Sequence, residues 1–275
     1  LETKNTAYIL DGEGILGLEA ACASLTEPGD QVLVLDNGVY GKGFADFVTM
    51  YGGQVTFYEA PYTRALDVDD FRAYLKEHHD FKYATVVHCD TPSGMLNDIH
   101  KICPLLKSYG IMTVTDSVSG MFGNEVDVDK AQIDILCGGS QKAVSAPPGL
   151  TFVTISDEAK KAMENRKTPI ASFYCNLTIF KDYYKNLWFP YTMPISDIYG
   201  LKAAMDNIAA DEFVKANNDI TVASVEIPSE DAGTAAVAQK GNEVFVQKVQ
   251  EVLDQLESSG KLKESIIRNT NLMSE

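Results

Sequence analysis

Lys142 is the residue of this chain whose position is best suited to covalent chemistry. It lies in a loop of small residues, Gly138–Gly149, between two apolar runs, Ile133–Cys137 and Thr151–Ile155. A partly buried lysine with a lowered pKa is what Schiff-base chemistry requires. Taken alone, a solvated loop lysine remains a slightly better explanation of this segment.

Asp116 is the second candidate, because it ends an apolar run in the segment Thr113–Gly120. A buried carboxylate is costly unless a cation or a hydrogen-bond donor accompanies it. A protonated pyridine nitrogen would be such a partner. Without further context, a helix cap explains Asp116 about equally well.

A glycine-rich turn, Asp11–Glu19, leads directly into a helix that we predict from Leu16 to about Leu25. Glycines let the backbone approach a phosphate group, and free N–H groups at a helix start bind it. Such a turn is more often a plain connection than a phosphate site, so alone it predicts little.

The segment His88–Gly94 follows another apolar run and offers the hydroxyl groups of Thr91 and Ser93 to a phosphate or a ring oxygen. His88 and Cys89 are residue types that bind metals, but no second ligand pair with suitable spacing accompanies them. We therefore expect no metal site and a packed, structural role for His88.

Strands alternate with helices up to about residue 155. The predicted strands are Gln31–Leu35, Gln54–Tyr58, Tyr83–His88, Ile111–Thr115, Ile133–Cys137 and Thr151–Ile155. Between them, Asp67 is predicted to cap one helix and Ile99–Tyr109 to form another. This alternation predicts a mostly parallel sheet covered on both faces, with ligands at the carboxyl ends of its strands. The four segments above should meet at that edge.

Composition narrows the classes of partner. The chain has 275 residues, 45% of them hydrophobic, and a net charge of −16, which argues against nucleic acid or an anionic membrane as a partner. No apolar run has the length of a membrane span, and from its first residues we expect no signal peptide. The five cysteines form no CxxC pair, which favours reduced thiols and a cytoplasmic location.

In order and spacing, the four segments together resemble the class V aminotransferases, in particular the alanine–glyoxylate, serine–pyruvate and 2-aminoethylphosphonate branch. The resemblance runs from about residue 5 to residue 208, and Ser140-Gln141-Lys142 followed by Ala146-Pro147-Pro148-Gly149 is its most specific part. It implies an α/β fold: the large domain of fold type I, with a mostly parallel sheet flanked by helices. It also implies pyridoxal 5′-phosphate (PLP) as cofactor.

The resemblance assigns a role to each matching residue. Lys142 would form the internal aldimine with PLP and Asp116 would pair with the pyridine nitrogen, which makes these two the catalytic residues. The implied cofactor contacts are Tyr40 stacked on the ring, Val118 packed under it, Thr91 beside the ring oxygen O3′, and Glu13, Gly14, Ile15 and Gln141 at the phosphate. Thr192, in a Thr-Met-Pro segment, would reach the phosphate from a neighbouring subunit. This implies a homodimer with shared active sites.

The implied reaction is transamination of a small amino acid with a 2-oxo acid, either glyoxylate or pyruvate. Glu13 departs from the pattern of many relatives, which have a small polar residue there, and a carboxylate near a phosphate is electrostatically unfavourable. The stretch around Glu13 is similar to pyridoxamine–pyruvate transaminases, which take pyridoxamine as a substrate and hold no PLP of their own. That activity is the alternative.

The tail does not continue the resemblance. We expect a PLP-binding domain at 1–208, truncated at its N-terminus, and an atypical C-terminal α/β segment at 209–275, with a helix at Glu243–Leu256 and a single arginine, Arg268. The segment is similar to the C-terminal end of polar amino-acid solute-binding proteins, so an amino-acid-binding module of a transport system is the alternative of another class. We expect this chain, joined and truncated, to be a poor enzyme on its own.

Overall fold

A central sheet organises the unit Leu1–Phe213, one of two compact units of the computed structural model; the other unit is Val214–Glu275. The structure describes residues 1–216, 251, 254–255 and 258–259. The strands are β1 (Thr6–Asp11), β2 (Gln31–Asp36), β3 (Gln54–Glu59), β4 (Tyr83–Val87), β5 (Cys89–Asp90), β6 (Met95–Leu96), β7 (Met112–Asp116), β8 (Ile135–Gly139) and β9 (Leu150–Ile155). The helices are α1 (Gly14–Leu25), α2 (Val39–Met50), α3 (Val68–Glu77), α4 (Ile99–Ser108), α5 (Asp157–Glu164), α6 (Tyr183–Asn186) and α7 (Ile195–Ala216), with a 3-10 turn at Leu177–Phe180.

The seven-stranded sheet has the order β1-β9-β8-β7-β4-β2-β3. From β8 to β3 all neighbours run parallel, whereas β9 is antiparallel to both β8 and β1. The expectation of a mostly parallel α/β sheet is confirmed. β5 and β6 form a separate two-stranded ribbon just beyond the carboxyl end of β4.

Helices cover both faces of the sheet because alternate strand residues point to opposite sides. In β2, Val32 and Val34 pack into the cluster that contains the buried residues of α1 and α2. Leu33 and Leu35 of the same strand pack into the cluster that contains the buried residues of α3 and α4. Both clusters are built mostly from aliphatic side chains that are fully buried.

Most predicted boundaries lie within one residue of those observed. Two elements start two residues away from the predicted position, and each of these shifts has a local cause. Helix α1 begins two residues earlier than Leu16, because the Glu13 carboxylate accepts the Ile15 N–H at 3.0 Å and caps the helix there. Strand β8 begins at Ile135 rather than Ile133, because the Asp134 carboxylate is used to accept the Thr113 N–H at 3.1 Å. The cap predicted at Asp67 is confirmed, with the N–H groups of Asp69 and Asp70 at 3.0 and 3.1 Å.

The tail lies mostly outside the described residues. Of the predicted helix Glu243–Leu256, only residues 251, 254 and 255 are described, and these are helical. Arg268 and the segments that resemble solute-binding proteins are not among the described residues. In the part of the chain that is described, no helix has both the length and the apolar character needed to cross a membrane.

Helix α1 packs very closely on the sheet at Gly17, where an added Cβ would lie 2.3 Å from Thr151 Cγ2. We expect Gly17→Ala to lower the free energy of unfolding by about 1–3 kcal/mol, because the helix must move away from β9. The matched control is Gly43→Ala on α2, where nothing lies within 4 Å of the added Cβ. There the helix propensity of alanine should raise the free energy of unfolding by about 0.5–1 kcal/mol. Urea unfolding of both variants measures the difference; a neutral Gly17→Ala would contradict this close packing.

Candidate active site

A cleft opens at the carboxyl edge of the parallel strands, where the sequence predicted the chemistry. Its walls are made by Glu13, Ile15, Leu18, Tyr40, Cys89, Thr91, Asp116, Val118, Ser119 and Lys142. Seven of these are predicted site residues: Glu13, Ile15, Tyr40, Thr91, Asp116, Val118 and Lys142. Gly14 borders the same cleft, since a Cβ on it would lie 2.7 Å from Val118 Cγ2.

A second, larger groove runs along β1 and α5 and lies outside this cleft. Its two best-placed lysines are already paired, Lys160 with Asp157 at 3.1 Å and Lys181 with Glu164 at 2.6 Å. Size alone does not define a site, and the smaller cleft is the one that combines an amine, a buried carboxylate and an aromatic ring. We therefore place the candidate active site there.

Asp116 forms the floor of the cleft at the last position of β7. The residue is 6% exposed, and its Oδ1 accepts the Val118 N–H at 2.8 Å. Burial raises the pKa of Asp116 from 3.8 to about 6; the charges of Asp90 and Glu13 act in the same direction, while the Val118 hydrogen bond and the Lys142 charge oppose them. A cation placed against this carboxylate would therefore be strongly favoured.

Lys142 is half-buried in a loop held by backbone hydrogen bonds. Ser140 N–H donates to the Leu150 carbonyl at 3.1 Å, and Ala146 N–H returns to the Ser140 carbonyl at 2.9 Å. Ser145, with φ at 60°, closes a turn onto the Lys142 carbonyl at 2.9 Å. No carboxylate among the described residues pairs with the Lys142 amine within 4.0 Å, so the amine is available for a ligand.

Glu13 and Gln141 meet at the start of α1. One oxygen of Glu13 accepts the Ile15 N–H at 3.0 Å, and the other accepts the Gln141 side-chain amide. The Glu13 carbonyl accepts the Thr151 hydroxyl at 2.6 Å, which joins this turn to β9 beside the Lys142 loop. The opposite end of the Gln141 amide, Oε1, is buried and has no hydrogen-bond partner in the described part of the chain.

Tyr40 and Thr91 form the outer wall. Tyr40 is 41% exposed near the start of α2, and the Thr91 hydroxyl lies 2.5 Å from the Ser119 hydroxyl. Ser119, Cys89 and Leu18 line the cleft but were not predicted as site residues. Ser119 stands three residues after Asp116 in the same motif. Its hydroxyl group was the one feature in the sequence that could have indicated a place in the cleft.

His88 is a packed residue, as expected. Its ring is buried, with Nδ1 at 2.9 Å from the Ser117 hydroxyl. Burial, assisted by the charge of His100, lowers the pKa of His88 to about 4, so the ring is neutral near pH 7. Across the described part of the chain, no three His, Cys, Asp or Glu side chains are grouped to hold a metal ion.

Thr192 is exposed, and it is not among the residues that line the cleft of its own chain. Its predicted contact with the site of a second copy stays a prediction, as does the homodimer.

An open α/β sheet with a lysine loop, a buried strand-end aspartate and an aromatic residue at its carboxyl edge defines the large domain of a fold type I PLP enzyme. The alanine–glyoxylate aminotransferase of Nostoc sp. is similar over 76% of this chain and 56% of its own, with a TM-score of 0.72 and 26% identity. The pyridoxamine–pyruvate aminotransferase of Mesorhizobium loti is similar over 78% of this chain and 54% of its own, with a TM-score of 0.71 and 35% identity.

The chain belongs to the class V aminotransferase family, whose profile (Aminotransferase class-V) matches residues 13–227. This match extends beyond residue 208, where the sequence analysis ended the resemblance. Among curated relatives, the pyridoxamine–pyruvate transaminase of Mesorhizobium japonicum is 37% identical over 211 residues, which is 75% of this chain and 53% of the relative. The chain thus spans about half the length of such relatives. Members of the family are PLP-dependent enzymes.

The raised pKa of Asp116 predicts a specific pH dependence of stability. The folded state binds this proton more tightly than the unfolded state, so the chain should lose stability as pH rises from about 4 through about 6. Asp116→Asn keeps an acceptor for the Val118 N–H and removes the titration. Between pH 4 and pH 7.5, urea unfolding should show the variant gaining up to about 3 kcal/mol relative to the unsubstituted chain. Parallel pH profiles for the two proteins would contradict a raised pKa.

Proposed function

We propose that this chain is the core of an aminotransferase that exchanges an amino group between a small amino acid and a 2-oxo acid. The observation that carries the proposal is that Lys142, Asp116 and Tyr40, which lie far apart in the sequence, line one cleft. Relatives that are named for pyridoxamine and pyruvate or for alanine and glyoxylate support pyruvate or glyoxylate as the acceptor.

The ring end of the cleft fits a pyridoxal cofactor. Asp116 supplies a buried carboxylate that forms no ion pair with the described residues, which suits a protonated pyridine nitrogen. Lys142 supplies an amine that no described carboxylate pairs with, and Val118 and Tyr40 supply surfaces for the ring. When bound, the cofactor supplies an electron sink for the electrons released at the substrate α-carbon.

The side chains then have distinct tasks. Asp116 would favour a proton on the ring nitrogen of a bound cofactor, because its carboxylate is buried and would gain from the positive charge. The Lys142 amine would hold the cofactor through its aldehyde carbon and would serve as the general acid and base for the proton at the substrate α-carbon. Tyr40 would orient the ring plane of a bound cofactor, and this orientation would select the bond to be broken. A homodimer with Thr192 contributed by the second copy, and a cytoplasmic location, are further parts of the proposal.

Reductive labelling tests the assignment of the amine. We expect borohydride treatment of the chain mixed with pyridoxal or PLP to leave a pyridoxyl group on Lys142, located by peptide mapping. Lys142→Ala should abolish the label and the visible absorption band, whereas Lys101→Ala, an exposed lysine on α4, should change neither. A label on another lysine in the unsubstituted chain would refute the role of Lys142.

A pyridoxamine–pyruvate-type activity is a second candidate, and Glu13 is the observation that favours it. The Glu13 carboxylate occupies the start of α1, where the donors that would bind a phosphate lie, and it already accepts the Ile15 N–H and the Gln141 amide. Its negative charge would repel a phosphate group. A pyridoxal or pyridoxamine ring without phosphate meets no such repulsion.

Vitamer preference distinguishes the two candidates. If the second holds, absorbance titration should show tighter binding of pyridoxal than of PLP, and Glu13→Ser should strengthen PLP binding at least tenfold, a change of about 1.4 kcal/mol. Glu13→Gln should act in the same direction, since it removes the charge but keeps a cap. Glu19→Gln, on the same helix outside the cleft, is the control and should change neither affinity. Tighter binding of PLP by the unsubstituted chain would leave the first candidate.

A further inference from the structure

We propose that Asp90 is a positioning residue that holds the start of α2, and with it the ring of Tyr40, at the cofactor cleft. The part of this proposal that concerns a bound ring rests on the proposed function. The part that concerns the helix start is independent of it.

The Asp90 carboxylate is buried and points across from β5 to α2. The residue is 1% exposed, and its Oδ1 accepts the Tyr40 N–H at 3.1 Å. Its Oδ2 accepts the Ser93 hydroxyl at 2.7 Å and the Ser93 N–H at 3.3 Å. Ser93 therefore orients the carboxylate from its own loop, and the remaining oxygen is directed at the helix.

Helix α2 has no cap of its own. Gly38 stands at the N-cap position without a side-chain hydrogen bond, and no acidic residue occupies the first turn. The first N–H groups of a helix have no acceptor within the helix, so Tyr40 N–H needs one from elsewhere. A carboxylate at this end also interacts favourably with the helix dipole. Asp90, on β5, supplies both the acceptor for the Tyr40 N–H and the negative charge at this end of the helix.

Gly38 shows how closely the two segments approach. Its φ of 177° is extended backbone that any residue adopts, so conformation does not require glycine here. A Cβ at this position would instead lie 2.5 Å from Asp90 Cγ and 2.7 and 2.9 Å from the two carboxylate oxygens. The glycine is required by the approach of Asp90, and the two residues are coupled through one contact.

The ring of Tyr40 depends on this backbone contact. In the described part of the chain, neither a hydrogen bond from its hydroxyl nor a ring contact holds the side chain. Its direction is therefore set by the first turn of α2, which Asp90 holds in place. Loss of the Asp90 contact should release the ring while leaving the Lys142 and Asp116 side chains in place. The pKa of Asp116 should fall, because the Asp90 charge helps to raise it.

Hydrogen exchange and aldehyde binding test the proposal in the full chain. Without cofactor, Asp90→Ala should speed exchange of the Tyr40 amide about tenfold, the size expected for loss of a cap. Pyridoxal and PLP are then added in separate titrations. For whichever aldehyde the unsubstituted chain binds more tightly, Asp90→Ala should weaken binding about tenfold and alter the induced circular dichroism of the bound chromophore. Asp90→Asn, which retains an acceptor, should largely restore the binding and the dichroism.

Asp67→Ala is the matched control, because Asp67 caps α3 through two N–H groups and does not line the cleft. It should speed exchange at the start of α3 only and leave aldehyde binding and dichroism unchanged. If Asp90→Ala leaves the Tyr40 amide as protected as before, or if both Asp→Ala variants alter binding equally, the proposal is wrong. If the unsubstituted chain binds neither aldehyde, the proposed function fails, and exchange of the Tyr40 amide alone decides the role of Asp90.

A double-substitution cycle provides a second test, which does not depend on the Asp90→Ala variant alone. Gly38→Ala should displace the carboxylate and speed Tyr40 exchange as Asp90→Ala does. Because both act on one contact, the double variant should be no worse than the more severe single variant. Additive effects on exchange would show that Gly38 and Asp90 act separately and would overturn the proposal.

Discussion

The site depends on how the chain accommodates three carboxylates around one lysine. Glu13, Asp90 and Asp116 lie at or beside a single cleft in a chain whose net charge is −16. Each of the three accepts a backbone N–H: Ile15 for Glu13, Tyr40 for Asp90 and Val118 for Asp116. Hydrogen bonds of this kind stabilise a charged carboxylate without a cation, and here they also fix the starts of α1 and α2 and the turn after β7.

For Asp116, the hydrogen bond from a backbone N–H does not offset the cost of burying the charged carboxylate. Glu13 also accepts the Gln141 amide and Asp90 also accepts the Ser93 hydroxyl, whereas in the described part of the chain the Asp116 carboxylate accepts the Val118 N–H alone, and its pKa rises to about 6. The unsatisfied charge is therefore concentrated at the position where a ring cation would bind. The same distribution makes the cleft favour a positively charged ring end and disfavour a dianionic phosphate near Glu13. Both expectations, for the ring end of the cofactor and for its phosphate end, follow from one electrostatic pattern.

Much of the fold could be predicted because the strands are apolar runs of five or six residues bounded by polar turns. Helix α2 was not predicted, since Gly41 and Gly43 weaken its helical pattern, and its start relies on Asp90, about fifty residues later in the sequence. Strand β9 was predicted, but its antiparallel direction was not, because an apolar run carries no information about the direction of its neighbour. These misses share a cause: the deciding contact is distant in sequence.

The predicted site residues meet for a reason that depends on strand register. Val87 at the end of β4 pairs with Asp116 at the end of β7, so the segments that follow these strands run side by side. This places His88 next to Ser117 and Thr91 next to Ser119, contacts that no local pattern indicates. Asp90 was missed on the same grounds, since its partner lies on a third strand–helix connection.

The motif glycines acquire a different meaning in the structure. A Cβ on Gly14 would overlap Val118, one on Gly38 would overlap Asp90, and one on Gly120 would overlap the His88 ring at 2.3 Å. In each case the neighbouring side chain belongs to another loop at the same edge of the sheet, so these glycines let the loops converge. A glycine-rich motif here therefore indicates close packing of the loops first and a phosphate site only second. Glu13 caps the helix at the turn where the phosphate was expected, so the glycine motif is intact while one of its helix-start donors, the Ile15 N–H, is already occupied.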